Sequence, residues 1–330
     1  MDFLHFFSPK KRIYLDYAAA TPVLPEVLAE MQKYEREEFY NPNAIYEEGL
    51  AVKRAVDAYR TQIARILGAA KENIIFTSGG TEANTIAVRG LGGKVSVDGV
   101  VHPSVVEAAK GQTLDTNSQG LTLVSSAAAD NKLGRKIREE RKKNNSIYPL
   151  LHIDASQTAQ YVAVGLETLA CDLLTLDAAK IYGPKGIGAL VVRSGVNLDI
   201  PPRGTPPVAL IAGFAKAFEI VSREREVETA RISILAEEFV EKLKYLVPQA
   251  EISRAGVNIV NVSVPGILPE LLVLALERRG VLASAGPACE AQKPEPKNTP
   301  VRLSLGRQTT RKELYTAAKI FCEVVQNMIK

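Results

Sequence analysis

The chain reads as an α/β protein: a large domain on a mainly parallel sheet covered by helices, then a smaller α+β domain. Three observations predict this. Apolar, β-rich runs alternate with helical patterns from Arg12 to about Arg193, as in a parallel sheet buried on both faces. The proline-rich stretch PPRGTPP at 201–207 then breaks the pattern. After it come helical spacing and a short return to strand, helix and strand. The expected division is a large domain over 13–222, with 1–12 and 223–330 forming the small one.

The elements follow from local chemistry. Runs at 74–77, 95–101, 121–125, 148–153, 171–176 and 189–192 are short and apolar, so they are predicted as buried strands. Segments 25–38, 46–67, 81–89 and 103–110 read as helices between them. Beyond the proline break, 208–222 and 224–246 read as two helices. The second shows Ile232, Leu235, Phe239, Leu243 and Leu246 at helical spacing. The tail reads as a strand at 257–264, a helix at 268–279, a strand at 302–305 and a helix from Arg311. EAQKPEPKNT at 290–299 is polar and proline-broken, so a mobile loop is expected there.

At 330 residues the chain can bury a large core. Its 46% hydrophobic and 24% charged content is that of a soluble globular protein. The net charge of +4 is small and the signs are interspersed, so nothing calls for nucleic acid or a membrane. The basic run KLGRKIREERKK at 132–143 includes two glutamates and reads as a solvated helix face. No apolar run is long enough to cross a bilayer. The opening MDFLHFFSPKKR places its basic residues after its apolar ones, the reverse of a secretory signal. Cys171, Cys289 and Cys322 lack metal-ligand spacing, so no metal site or disulfide framework is expected and a cytoplasmic setting fits.

Chemistry concentrates at predicted strand ends. Asp154 follows one apolar run, and Lys180, twenty-six positions later, follows the next. At the ends of neighbouring parallel strands, an acid and an amine can reach opposite ends of one flat ligand. Pyridoxal phosphate (PLP) needs that pair, a lysine for the Schiff base and an acid to keep the ring nitrogen protonated. Alone, the pair reads as a surface lysine and a strand-end aspartate. Ser78-Gly79-Gly80-Thr81 opens a helix and suits a phosphate. Taken alone, it reads more simply as an N-cap with Thr81 and Asn84 doing local work. His102 lies between a strand and a helix, where an imidazole can lie on a ring and shuttle protons or serve structure alone. Gln157 and Asn131 could each donate a hydrogen bond to a phenolic oxygen. Cys289 precedes the polar loop, whereas Cys171 and Cys322 sit in apolar patterns and read as packing. Arg302 begins a strand and suits a carboxylate or a salt bridge.

Together these pieces resemble the cysteine desulfurases, within the class V aminotransferase group of fold-type I PLP enzymes. The matches keep chain order: YLDYAAATP (14–22), NPNAIYEEG (41–49), SGGTEANT (78–85), VHPSVVEAA (101–109), HIDASQTA (152–159), AKIYGPKGIGALVVR (179–193), RGTPP (203–207), NIVNVSV (258–264), GPAC (286–289) and VRLSLGRQTT (301–310). The resemblance implies that Lys180 forms the Schiff base and later moves protons, Asp154 pairs with the pyridinium, and His102 stacks on the ring and acts in acid-base steps. It also implies that Gln157 and Asn131 bond the phenolic oxygen, Thr81 and the Gly80 amide hold the phosphate, and Arg302 with Asn131 binds the substrate carboxylate. Cys289 would take sulfur from L-cysteine as a persulfide, releasing alanine for the enzyme to hand its sulfur to an acceptor protein. Thr205 would reach the partner subunit's phosphate in a homodimer.

The chain departs from the family pattern in places. Asp177 and Ala179 stand where a serine and a histidine usually touch phosphate. A carboxylate facing a phosphate is repulsive, on the order of 1 kcal/mol at contact in water and more when partly buried. Tyr46 replaces the histidine of the NPxxxH segment, Asp130-Asn131-Lys132 replaces Asn-Asn-Glu, and Pro202 stands where an arginine is expected, with Arg203 next. The chain is shorter than typical members, and Arg302 follows Cys289 by only thirteen positions. Two further readings stay open: another class V PLP enzyme, such as a selenocysteine lyase or an aminotransferase, and a non-catalytic member that acts as a binding or assembly subunit.

Overall fold

Proline marks three helix starts. Pro25, Pro103 and Pro269 each occupy the first turn of a helix, where the missing N–H has no helical partner to lose. The computed structural model describes residues 12–110, 120–127, 129–202, 204–286 and 300–329. Through the first two thirds of the chain the order is β1 (Ile13–Tyr14), α1 (Pro25–Gln32), α2 (Glu47–Leu67), β2 (Ile74–Thr77), α3 (Gly80–Arg89), β3 (Lys94–Asp98) and α4 (Pro103–Ala109). Next come β4 (Leu121–Ser126), α5 (Lys132–Lys143), β5 (Leu150–Asp154), β6 (Leu173–Asp177) and β7 (Gly188–Val192), then the long α6 (Val208–Leu246). Two compact units result, one spanning Thr21–Arg225, the other joining the segment through Ala20 to Glu226 and beyond.

The Thr21–Arg225 unit is built on a six-stranded sheet ordered β2-β7-β6-β5-β4-β3. Strands β3 to β6 are parallel, and β7 runs antiparallel to both its neighbours. All six strands lie within a few residues of the sequence expectation. β5 begins at Leu150 and not at 148 because Pro149 has no N–H to give the ladder. Both faces of the central strands are buried, with Leu150 to Ile153, Leu173 to Leu176 and Ala189 to Val192 all inaccessible, as a sheet covered on both sides requires. On one face α3 and α4 pack through Ala83, Ile86, Ala87, Val105 and Ala108 onto Val95, Leu123, Leu150, Leu173 and Leu190.

Period-two alternation then sets the chemistry of that face. Leu150, His152 and Asp154 share a side of β5, and Leu173, Thr175 and Asp177 share a side of β6. Because Leu150 and Leu173 face α3, so do the two terminal aspartates.

The other unit holds the parallel pair β1–β10 (β10, Val281–Leu282) and an antiparallel four-stranded sheet. That sheet is ordered β11 (Ser284–Ala285), β12 (Val301–Ser304), β9 (Ile259–Ser263) and β8 (Glu251–Ala255), accompanied by α7 (Pro269–Arg278) and α8 (Arg311–Ile329). β8 escaped the sequence reading, because EISRA is largely exposed and carries no apolar run. It turns into β9 at Gly256, whose φ of +61° is one that glycine adopts without strain. The two helices expected at 208–222 and 224–246 form a single helix of 39 residues. The junction SREREVE contains no glycine or proline to break it, and Arg225 Nη2 bonds back to Ser222 Oγ at 3.1 Å.

Two buried polar groups hold the sheet from within. Asp172 (2% exposed) accepts from Arg141 of α5, from Arg193 Nε at 3.1 Å and from the Leu151 amide at 2.8 Å. His152, fully buried, lies between Ser125 Oγ (2.8 Å from Nδ1) and Thr175 Oγ1 (2.9 Å from Nε2). Burial pushes the imidazole down to about 4, with nearby Asp154 opposing.

Replacing Asp172 with alanine leaves the Arg141 and Arg193 guanidinium groups and the Leu151 amide without their buried acceptor. Stability should fall by about 3 kcal/mol, read as a lower urea midpoint. The His152 ring prefers its neutral form when folded, so below its ordinary value of 6.5 the unfolded chain takes a proton that the folded chain refuses. The stability present above pH 6.5 should therefore be lost as pH falls toward about 4, by about 3 kcal/mol in total. His152→Gln should flatten that slope in urea titrations at several pH values.

Candidate active site

Parallel neighbours β4, β5 and β6 end at one edge of the sheet, and the polar residues gather there. Asp154 closes β5, and both its oxygens are held. Oδ1 accepts from the Ser156 amide at 3.0 Å and Oδ2 from Asn84 Nδ2 at 2.7 Å. Asn84, 1% exposed in α3, uses its second N–H on Ser104 Oγ at 3.0 Å. The Ser104 hydroxyl lies 2.7 Å from His102 Nδ1, which also accepts from the Ser104 amide at 3.1 Å and so caps α4. As Nδ1 accepts, the proton of the neutral ring sits on Nε2. One amide thus joins Asp154 to His102 across three elements. Sequence reasoning had given Asn84 only local work at a helix start. Its reach is tertiary, and the signal available was its position one helical turn after Gly80.

Lys180 ends a short 3-10 turn, Ala178–Lys180, just beyond β6. Thr21 clamps this turn. Its N–H and Oγ1 both donate to the Ala179 carbonyl (3.1 and 2.9 Å), and Oγ1 accepts from the Tyr182 amide at 2.8 Å. Asp177 caps the other end, with Oδ1 accepting from the Ala179 amide at 2.9 Å. Tyr182, with φ of +63°, is buried and receives a hydrogen bond from Gln160 Nε2 at 3.1 Å. Thr21, Ser104 and Ser156 stood inside quoted motifs, but nothing in the sequence gave their partners.

Gly80 starts α3, and Gly79 precedes it with φ of +149°, in the region that favours glycine. Gly188 of β7 pairs with Thr77 on one side and Asp177 on the other, and a Cβ there would lie 2.9 Å from the Gly79 backbone. The Gly80 amide, expected to meet a phosphate, donates to Asp177 Oδ2 at 3.3 Å. Asp177 therefore does not turn away from the start of α3. Thr81 is exposed on the first turn.

Gln157 follows Asp154 and Ser156 and begins the 3-10 turn Thr158–Gln160, half-buried. Asn131, half-buried, precedes α5 at the end of the loop that leaves β4, and its side chain does not cap the helix. Thr205 is exposed before α6 and is not tied to the network. Cys171 is buried, its thiol pushed up to about 12 by desolvation, and Cys322 donates to the Leu246 carbonyl at 3.2 Å. Both are packing residues, as read. Cys289 and Arg203 lie outside the described residues. In the other unit Arg302, 6% exposed, pairs with Asp16 Oδ1 at 3.0 Å, while Ser284 donates to Asp16 Oδ2 at 2.8 Å. Its Nε is buried and makes no hydrogen bond. Among the described residues no group of three acidic, histidine or cysteine side chains could hold a metal, and no helix is long and apolar enough to cross a membrane.

Known proteins match the chain over nearly its whole length. The profile of the aminotransferase class-V family matches residues 13–110, 112–203 and 202–316. A cysteine desulfurase IscS of Dictyoglomus turgidum is 30% identical over 379 aligned positions, covering 97% of this chain and 96% of that protein. One of Methanosarcina thermophila is 31% identical, covering 97% and 94%. A solved NifS-like protein superimposes with a TM-score of 0.86 at 26% identity, over 96% of this chain and 100% of its own. That structure carries the same α/β architecture, the fold of the PLP-dependent fold-type I enzymes. The chain belongs to the class V aminotransferases and, within them, to the cysteine desulfurase family.

Proposed function

We propose that the chain is a PLP-dependent cysteine desulfurase that converts L-cysteine to L-alanine and keeps the sulfur as a persulfide on Cys289. The carrying observation is the pair Asp154 and Lys180 beyond the carboxyl ends of adjacent parallel strands, with Asp154 linked through Asn84 and Ser104 to His102. A carboxylate with both oxygens already held is a fixed partner for a pyridinium nitrogen. A lysine on a turn clamped by Thr21 is a fixed base. The ring and amine end of PLP therefore fits these residues. When bound, PLP supplies an electron sink for bonds broken at the substrate α-carbon.

Each residue then has a task. With PLP bound, Asp154 would pair with the ring nitrogen, and Lys180 would hold the aldehyde carbon and carry protons to and from substrate carbon. His102 stacks on the ring, and its Nε2 proton is the one available for acid catalysis, since Nδ1 is engaged. Gln157 and Asn131 would hold the phenolic oxygen, and the family resemblance assigns Gly80, Thr81 and the Thr205 of a second copy to the phosphate in a homodimer. Arg302, held by Asp16, is the guanidinium that the family resemblance assigns to the carboxylate of L-cysteine, and Asn131 is the amide it assigns to the same group. The Cys289 thiolate forms an S–S bond to the substrate sulfur as the C–S bond breaks. The carbon keeps the electron pair, takes a proton and leaves as alanine. An acceptor protein, of the iron–sulfur scaffold or tRNA-thiolation type, would collect the persulfide in the cytoplasm.

Incubation with L-cysteine and PLP should yield alanine and, with a thiol reductant, an equal amount of sulfide. Lys180→Ala should abolish the borohydride-reducible chromophore and lower turnover at least about a hundredfold; a persisting chromophore would refute the lysine assignment. Cys289→Ser should keep the chromophore and lose the persulfide, measured by intact mass after brief exposure to cysteine. Unchanged sulfide release from that variant would remove Cys289 from the reaction and point to another class V activity.

A further inference from the structure

The start of α3 is built to receive a negative charge and already holds one. α3 runs ten residues from Gly80, long enough for its amino end to carry a useful partial positive charge. The occupant is the Asp177 carboxylate, spanning the Gly80 amide at 3.3 Å and the Ala179 amide at 2.9 Å. The first of these is long beside the usual 2.7–2.9 Å of a charge-assisted bond. A second acid, Glu82, turns back from the first turn onto the Ser78 amide and takes that donor too. Independently, Ser156 Oγ is buried with no hydrogen-bond partner and sits 3.0 Å from where a Cβ on Gly80 would be. Buried hydroxyls without partners are rare and mark a place where a partner arrives. The space in front of Gly80 is therefore lined by one carboxylate oxygen, one idle hydroxyl and an amide already in use.

This lining favours a particular guest. A phosphate dianion must push Asp177 off Gly80 or lie against it, and like charges at that separation repel. A neutral hydroxyl can donate to Asp177 Oδ2 and accept from Ser156 Oγ at once. Resting on the PLP reading above, we propose that Asp177 is a specificity-determining residue for the cofactor. It acts as an internal anion that removes the usual advantage of the 5′-phosphate over the 5′-hydroxyl of pyridoxal, and Ser156 is the hydroxyl that meets the 5′ group.

The experiment titrates purified wild type, Asp177→Asn, Asp177→Ser, Asp177→Asn with Ser156→Ala, and Lys180→Ala with PLP and with pyridoxal. It reads the absorbance of the bound chromophore and, after borohydride, the mass added. Asparagine is isosteric and keeps one acceptor oxygen for the Ala179 amide while losing the charge and the oxygen that faces Gly80, and thermal unfolding reports whether each variant is folded. Wild type should bind the two aldehydes within about fivefold of one another. Asp177→Asn and Asp177→Ser should each tighten PLP at least about tenfold and leave pyridoxal within about threefold. Adding Ser156→Ala should return about fivefold of the gain. A wild type that prefers PLP more than about a hundredfold, or a PLP affinity unmoved by both Asp177 variants, overturns the inference while a Lys180-dependent adduct keeps the PLP reading. No Lys180-dependent adduct with either aldehyde in any variant overturns both.

Discussion

A single carboxamide carries the geometry of the candidate site. Asn84 has two N–H groups that diverge, and it spends one on the end of β5 and the other on the start of α4. Being 1% exposed, it has no water to fall back on, so both acceptors must be in place for the fold to close. The apolar packing of α3 against the strands fixes where Asn84 stands, and the hydrogen bonds then fix Asp154 and His102. The same helix carries Gly80 one turn earlier, so its position also decides where the opening amide points. Packing thus sets the chemistry at one remove, through a residue with no ionisable group.

Much of this was legible in the sequence, for reasons that differ by element. The central strands of the large sheet are buried on both faces and so read as apolar runs, whereas β8, half in water, left no such trace. The charged junction in α6 looked like a break because it is polar, yet polarity on an exposed helix stretch is neutral to helix formation and only glycine or proline would have stopped it. Asp154, Lys180 and His102 stood out because each lies at or shortly past the end of an apolar run. Asn84, Ser104, Thr21 and Ser156 did not, since what defines a buried polar residue is its partner across space, and one sequence alone does not supply partners. Cys289, singled out by the GPAC motif ahead of a polar loop, lies outside the described residues.

Asp177 combines two tasks that other side chains could divide. Through Oδ1 it shapes the turn that carries Lys180, and through Oδ2 it engages the first residue of α3. Thr21 holds the same turn from the opposite side with a hydroxyl that both donates and accepts. The lysine turn is therefore fixed between a neutral clamp and a charged one, and the charged one also reaches the start of α3.

Gly188 shows how far such constraints extend along the chain. It touches no ligand group, yet it lies between Thr77 and Asp177 with the Gly79 backbone pressed against it. Any side chain placed there would shove the loop before α3 outward and carry the Gly80 amide along. A residue at the first position of an ordinary strand would then register in a mutational scan as a cofactor contact, though its whole contribution is the volume it does not fill.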